Sequence, residues 1–388
     1  MEIDEDVKAQ VEECCQVVNR PTLKNDATPS PYLHLGWATS EEELKENFQR
    51  QTGYLVSTGE LEMHQEFHQH NPHKFSCNIH TTELCLRAKC TVLYKQNEQC
   101  VHHKLIVIAI IEQAVVSGAQ LDWLKAVLWQ SVFPRVKFIS EGHDSISEDS
   151  KRAALQAINK KKKLNGSITE EEKEQLKKKH YCHCNGPFGQ PTGGFATWGC
   201  TLKKVGKPVC KFNIKTATGR KKFHLQNMRE NDPIIESLCQ TLADVVSDRC
   251  LVLAPLAAKN MLEEASNALC CRLGTKHQMF AAMSLNSSFR IHAHVDKKDF
   301  PNGLTALINV HKNEDPGHLH VLVDYALTKG GTPGIGIDLG SGSLLLEAAS
   351  REWHASSQPI SPSLQEPTRG ALVFFSHAGL NRPDHGFE

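Results

Sequence analysis

The sequence predicts an α+β protein whose C-terminal part folds as a jelly roll, a double-stranded β-helix. Short segments of alternating polarity recur at Phe289–Val295, Leu304–Val310, His318–Tyr325, Ser343–Leu346, Glu352–Ala355 and Gly370–His377, separated by Gly, Pro, Asn and Asp. Evenly spaced short strands with turn residues between them indicate a sandwich or barrel. Upstream, helical and strand-like patterns mix, and an apolar share of 40% over 388 residues supports a real core.

The elements follow in order. Residues 1–30 form a polar N-terminal segment; its start, Met-Glu-Ile-Asp-Glu-Asp, is acidic and has no apolar h-region, so no signal peptide is expected. In residues 31–139, Ser40-Glu-Glu-Glu43 reads as a helix cap, Cys90–Tyr94 and Lys104–Ile111 as strands, and Gln120–Val132 as an amphipathic helix. The longest apolar run, Leu105 to Ile111, is too short to span a bilayer, so a soluble protein without a membrane partner is expected. Residues 140–180 are Lys/Glu-rich and read as a charged insertion. There, Ser167-Ile-Thr-Glu170 resembles a capping box, with Glu170–Glu172 at the helix start and Lys177–Lys179 at its end. Residues 181–275 open Cys- and Gly-rich and continue into a helix over Asp232–Val246; residues 276–388 hold the jelly roll. The stretch Gly330–Gly342 reads as a flexible loop without the strand-to-helix context of a phosphate cradle. No internal repeat is evident.

Zero net charge hides an asymmetry. Residues 1–150 carry 13 Lys+Arg against 22 Asp+Glu, whereas residues 151–230 carry 19 against 5. Such a basic block suits a phosphate backbone, chiefly through Lys203, Lys204, Lys207 and Lys211, although part of it is a solvated helix. Fourteen cysteines with twenty-one histidines and no export signal point to zinc or iron rather than disulfides. Cys239 and Cys250, set in an apolar helical pattern, read as inert buried thiols. His64, His68, His70 and His73 lack an acid or thiol partner at ligand spacing and read as a polar surface stretch.

One constellation carries redox chemistry. His294-Val-Asp296 sets two ligands at i and i+2, which on a strand share a face. With His354 from a later strand they make the two-His, one-carboxylate triad of non-haem iron(II) oxygenases, which leaves three positions for a chelating co-substrate and dioxygen. Arg369, fifteen residues after His354 at the start of the next strand, can bind the distal carboxylate of 2-oxoglutarate bidentately.

Beyond these residues the sequence resembles the ten-eleven-translocation (TET) methylcytosine dioxygenases. The resemblance lies in Glu352-Trp-His-Ala355, Pro367-Thr-Arg369, Leu372-Val-Phe374, His377 and Asn381-Arg-Pro-Asp-His-Gly-Phe387. It extends upstream through Leu319-His-Val-Leu322, Asn302-Gly303, Cys271-Arg-Leu-Gly274, Leu253-Ala-Pro255, Trp198-Gly-Cys200 and Tyr32-Leu-His-Leu-Gly36, covering about residues 30–388. It implies iron at His294, Asp296 and His354, and 2-oxoglutarate contacts from Arg369, His320 and Arg135, the last with poorly matching flanks. It implies further that His377 bonds the edge of a flipped 5-methylcytosine in DNA and that Phe375 stacks on it where the family has Tyr, with Ser284 behind Phe375 in place of Thr. Asp299 replaces a family Asn that reads the cytosine edge; a carboxylate there repels the lone pair at N3, so either Asp299 or N3 would carry a proton and activity would depend on pH.

The same resemblance implies Zn(II) in a Cys-rich region packed on the jelly roll. One site would be Cys77, Cys182, Cys184 and Cys200; a second would be Cys210, Cys271, His292 and His385. By periodicity alone His292 competes for the iron. A third set, Cys15, Cys100 and His102, departs from the family's Cys-x-Cys and His-x-Cys, because Cys14-Cys15 are adjacent and the later pair is reversed. The segment Thr201–Val209 is basic where the family carries an apolar loop, and the family's long low-complexity insertion is missing, which leaves RNA or methyladenine open as substrates. The expected protein is a nuclear monomer. Its rivals are an ascorbate-using relative, which Asp299 suits and Arg369 with His320 do not, and a zinc-stabilised DNA-binding protein without turnover.

Overall fold

The computed structural model describes residues 38–64, 82–84, 86, 88–96, 105–133, 148–180, 195–202, 208–210, 213–215, 233–266, 272–287, 293–312, 319–327, 331–357, 369–378 and 380. The helices are α1 (Glu41–Thr52), α2 (Gly118–Ala126), α3 (Glu148–Asn165), α4 (Glu170–His180), α5 (Pro233–Leu253) and α6 (Pro255–Ser266). The strands before residue 270 are β1 (Val56–Glu60), β2 (Glu62–Met63), β3 (Thr82–Leu84), β4 (Cys90–Gln96), β5 (Leu105–Glu112), β6 (Phe195–Leu202), β7 (Pro208–Cys210) and β8 (Asn213–Lys215). The later ones are β9 (Ala282–Ser287), β10 (Thr305–His311), β11 (His320–Leu322), β12 (Tyr325–Ala326), β13 (Ile335–Ile337), β14 (Leu344–Glu347), β15 (His354–Ser356) and β16 (Arg369–Phe375).

Local chemistry explains several of these boundaries. Ser40 accepts a hydrogen bond from the Glu43 amide at 3.2 Å, Thr39 N donates to Glu43 Oε2 at 2.6 Å, and Gly53 ends α1 at φ 72°. The helix expected over Gln120–Val132 begins as α2 and finishes as a π-helix over Val127–Val132. The capping box sits two residues later than its sequence reading. Thr169 N donates to Glu172 Oε2 and Glu172 N donates to Thr169 Oγ1, so Thr169 and not Ser167 opens α4. The Asp232–Val246 helix runs on to Leu253, carrying Cys239 and Cys250, both fully buried.

A ten-stranded sheet runs β1-β4-β5-β14-β10-β16-β9-β6-β7, with β8 also on β6. A smaller sheet, β15-β11-β13-β3, faces it. Period-two alternation divides the large sheet's side chains. From β10, Ala306, Ile308 and Val310 join the core beneath α1, α2, α5 and α6, while Leu307 joins Leu322, Ile335 and Ile337 between the sheets. The strand β5, Leu-Ile-Val-Ile-Ala-Ile-Ile-Glu, is buried at every position because it is covered on both faces. It pairs with β14, so the strands of the N-terminal segment extend the sheet that carries the C-terminal strands.

Two expectations change here. The Gly330–Gly342 stretch contains a buried strand, β13, paired to both β11 and β3. The segment expected as a strand over Phe289–Val295 is described only from residue 293, where His294 forms an isolated bridge to His354 and is followed by a turn. From β9 onward the chain still crosses repeatedly between the sheets: β9 and β10 lie in the large one, β11 and β13 in the small one, β14 in the large, β15 in the small and β16 in the large.

Candidate iron and co-substrate site

A cavity of about 300 Å³ opens between the two sheets. Its walls follow from the alternation: β9 contributes Ser284 and Asn286, β14 contributes Glu347, and β16 contributes Arg369, Ala371, Val373 and Phe375.

At its floor, one ligand atom each from His294, Asp296 and His354 lies within 4.8 Å of the others. The backbones of His294 and His354 exchange reciprocal hydrogen bonds of 3.0 Å, and Asp296 N donates to Ala349 O at 2.9 Å. These bonds, not a continuous strand, bring His294 and Asp296 together. Asp296 Oδ1 lies 3.5 Å from His294 Nε2, and Oδ2 lies 3.7 Å from His354 Nε2. His354 Nδ1 donates to Glu352 O at 3.0 Å; a carbonyl only accepts, so Nε2 keeps its lone pair toward the cluster. Burial, then the neighbouring His294, lowers the His354 pKa. Burial pushes Asp296 up, but the His294 hydrogen bond and the His354 and His294 charges outweigh it, and its pKa falls. Two imidazoles and a carboxylate on one side of a cavity fit a divalent iron ion with open positions.

Beside this cluster, His320 Nε2 donates to the buried Glu347 at 2.9 Å. Burial alone would raise Glu347; the charges of His320 and His354 bring it below its usual value. Arg369 is 5% exposed, and burial lowers its pKa to about 10, which leaves it cationic at neutral pH. Its Nε lies 3.4 Å from Asn309 Oδ1, and Asn309 Nδ2 is anchored on Leu339 O at 2.9 Å.

At the opposite end, Phe375 and His377 sit with ring centroids 5.2 Å apart. An isolated bridge joins Asp299 to His377; Asp299 Oδ2 accepts from Thr305 Oγ1 at 3.1 Å, and its Oδ1 lies 3.7 Å from His377 Nε2. Burial, then the Asp296 charge, raises the Asp299 pKa well above the usual carboxylate range.

The structure thus gathers His294, Asp296, His354, His320 and Arg369 around one cavity, together with Ser284, Asp299, Phe375 and His377. Arg135, Cys77, Cys182, Cys184, Cys271, His292, His385, Cys15, Cys100 and His102 lie outside the described residues. So do Lys203, Lys204, Lys207 and Lys211. Cys200 and Cys210 are direct register partners on β6 and β7. Glu347, Thr305 and Asn286 escaped the sequence reading. For Glu347 a signal existed, because an acid in phase with Leu345 on β14 points between the sheets.

Residues 208–378 match the family described as the oxygenase domain of the 2OGFeDO superfamily (TET/JBP). Human methylcytosine dioxygenase TET3 is 43% identical over 53 residues, 14% of this chain and 3% of that protein. Mouse methylcytosine dioxygenase TET2 is 27% identical over 135 residues, 34% of this chain and 7% of that protein. The chain therefore spans a small fraction of the length of the curated relatives it matches. A solved structure of NgTET1 in complex with 5mC DNA aligns at TM-score 0.41 and 9% identity, covering 88% of this chain and 93% of that one. The segment from residue 208 to residue 378 is thus the part of the chain that resembles that oxygenase domain.

Proposed function

We propose that this chain is an iron(II)- and 2-oxoglutarate-dependent dioxygenase that oxidises the 5-methyl group of 5-methylcytosine in DNA to 5-hydroxymethylcytosine, and onward to the formyl and carboxyl forms. The carrying observation is the arrangement of one cavity: three ligand atoms within 4.8 Å at its floor, a buried arginine on one wall and an aromatic pair at the far end. In this reading His294, Asp296 and His354 hold the iron. Iron(II) with 2-oxoglutarate and dioxygen supplies the oxidising power that removes a hydrogen from the methyl group.

The protein's own contribution is positioning. Arg369 meets the distal carboxylate of the co-substrate, and burial strengthens that pairing by excluding water. His320, held by Glu347, presents its ring beside His354, with centroids 5.8 Å apart. A base drawn out of the duplex stacks on Phe375 and meets His377 and Asp299 along its edge. Asp299, with its raised pKa, is suited to offer a proton toward N3 of cytosine, where an ionised carboxylate would repel. These features support the jelly-roll assignment too, since the crossings between sheets bring residues of both sheets to one cavity. Zinc at the four-cysteine set Cys77, Cys182, Cys184 and Cys200 and at the mixed set Cys210, Cys271, His292 and His385, nuclear residence and a monomeric state belong to the same reading.

Nucleoside mass spectrometry after incubating the protein with methylated DNA, iron(II) and 2-oxoglutarate tests it. The expected result is methyl-dependent formation of hydroxymethylcytosine together with succinate. DNA binding without either product would sink the proposal.

A further inference from the structure

One polar group on the cavity wall is taken up neither by the iron set nor by the base-contacting set. Asn286 is 9% exposed and projects from β9 into the cavity. Its Oδ1 accepts from Ser284 Oγ at 3.0 Å, which leaves the two N–H bonds of Nδ2 as its donating group. The neighbouring polar groups already answer to one another: Thr305 donates to Asp299, and His320 donates to Glu347.

Register says which end of the cavity Asn286 serves. Along the β9–β16 pair, Phe375 lies opposite Ala282, Val373 opposite Ser284, and Ala371 opposite Asn286. Arg369 is the next residue of β16 on the same face, diagonal to Asn286, and diagonal neighbours across an antiparallel pair lie about 7–8 Å apart between Cα atoms. Both residues line the cavity. Phe375 is two positions farther off in the other direction.

A carboxylate presents about four acceptor sites, and a guanidinium fork fills two of them. In a buried cavity the remaining lone pairs lose water without replacement unless a second donor is present. Ala371 and Val373, which follow Arg369 on this face of β16, have no polar side-chain atom. Asn286 does.

Resting on the co-substrate reading above, we propose that Asn286 is a second contact for the distal carboxylate of the 2-oxo diacid. Its Nδ2 donates to the carboxylate that Arg369 holds, and the pair makes the site select a diacid over a 2-oxo monoacid.

Anaerobic calorimetry on the full iron(II)-loaded chain tests this, with 2-oxoglutarate and pyruvate as probes; pyruvate has the chelating keto-acid end and no distal carboxylate. Asn286→Leu, close in size but without a donor, is expected to weaken 2-oxoglutarate about tenfold and to leave pyruvate unchanged. Asn286→Asp, which sets a carboxylate against a carboxylate, is expected to weaken 2-oxoglutarate further, with pyruvate again unaffected. Circular dichroism melting of each variant reports whether the fold survives, and the pyruvate titration serves as an internal control on the iron centre. Equal losses for both probes would reduce Asn286 to packing and overturn the inference, as would no loss for either. The two readings fail differently. If wild-type protein does not bind 2-oxoglutarate and Arg369→Gln changes nothing, the co-substrate assignment falls and this inference with it. If wild-type binding depends on Arg369 while both Asn286 variants match wild type, only this inference falls.

Discussion

At the scale of single residues the iron cluster rests on a few short bonds. On the proposed reading Asp296 is the ligand whose charge balances a divalent ion, so Asp296→Ala is expected to lower iron(II) affinity at least tenfold and to abolish turnover, checked by metal analysis after dialysis. On the same reading Phe375→Ala removes the stacking face and is expected to cut turnover of methylated duplex DNA about tenfold or more while leaving 2-oxoglutarate binding intact, checked by parallel kinetics and calorimetry. His294, Asp296, His354 and Arg369 were legible because residue type and order along the chain are themselves the signal. Asn286 was not, because an Asn in a short strand carries no mark of the cavity it faces, and Glu347 left only its phase with Leu345 on β14 as a signal. The expected geometry of His294 and Asp296 also needed revising. Alternation on a strand was the sequence argument, yet a bridge and a turn set their positions.

Among elements, the helical hairpin shows how one pattern admits two registers. Ser167 and Thr169 each have a Glu three residues later, and only the observed reciprocal bonds select Thr169 with Glu172. Thr169→Ala is expected to cost about 1 kcal/mol of helix stability, whereas Ser167→Ala is near neutral, measurable by chemical denaturation of the two variants. The Gly-rich stretch is a second case. Gly suggests a loop, but Ile335 and Ile337 bury completely once β11 and β3 flank them. Gly342 beside it has φ 78°, and a Cβ there would stand 1.9 Å from Val116 O. Gly342→Ala is therefore expected to destabilise the protein by more than about 1 kcal/mol, read as a fall in the unfolding midpoint.

Over the whole molecule, distant segments are tied by charged groups. Arg249 of α5 donates to both carboxylate oxygens of Glu112, at 2.8 and 3.0 Å, and to the Tyr54 hydroxyl at 3.0 Å, joining α5, β5 and the turn after α1. Glu112 is 2% exposed, so Arg249→Leu strands a buried acid and is expected to cost about 3–5 kcal/mol in an unfolding experiment. Glu41 forms a second tie. Hydrogen bonds from Lys45, then Thr58, and also from Tyr94 lower its pKa from 4.5 to about 2. A folded-state value below the unfolded one means that Glu41 stabilises the fold above about pH 4.5, and that this contribution disappears as pH falls toward about 2. Thermal midpoints of wild type are expected to drop more steeply across that window than those of Glu41→Gln.

By itself the sequence carried strand-forming segments through alternation, helix starts through capping residues, and a set of side-chain types whose order along the chain points to an iron site. These are local properties, carried by side-chain type and near spacing. The tertiary structure alone decided that β1, β4 and β5 extend the sheet of the C-terminal strands, that a Gly-rich run hides a buried strand, and that Asn286 stands diagonal to Arg369. Those outcomes depend on which segments, far apart in the chain, compete to bury the same apolar faces, and pairing between distant segments leaves no mark in the residues of either one.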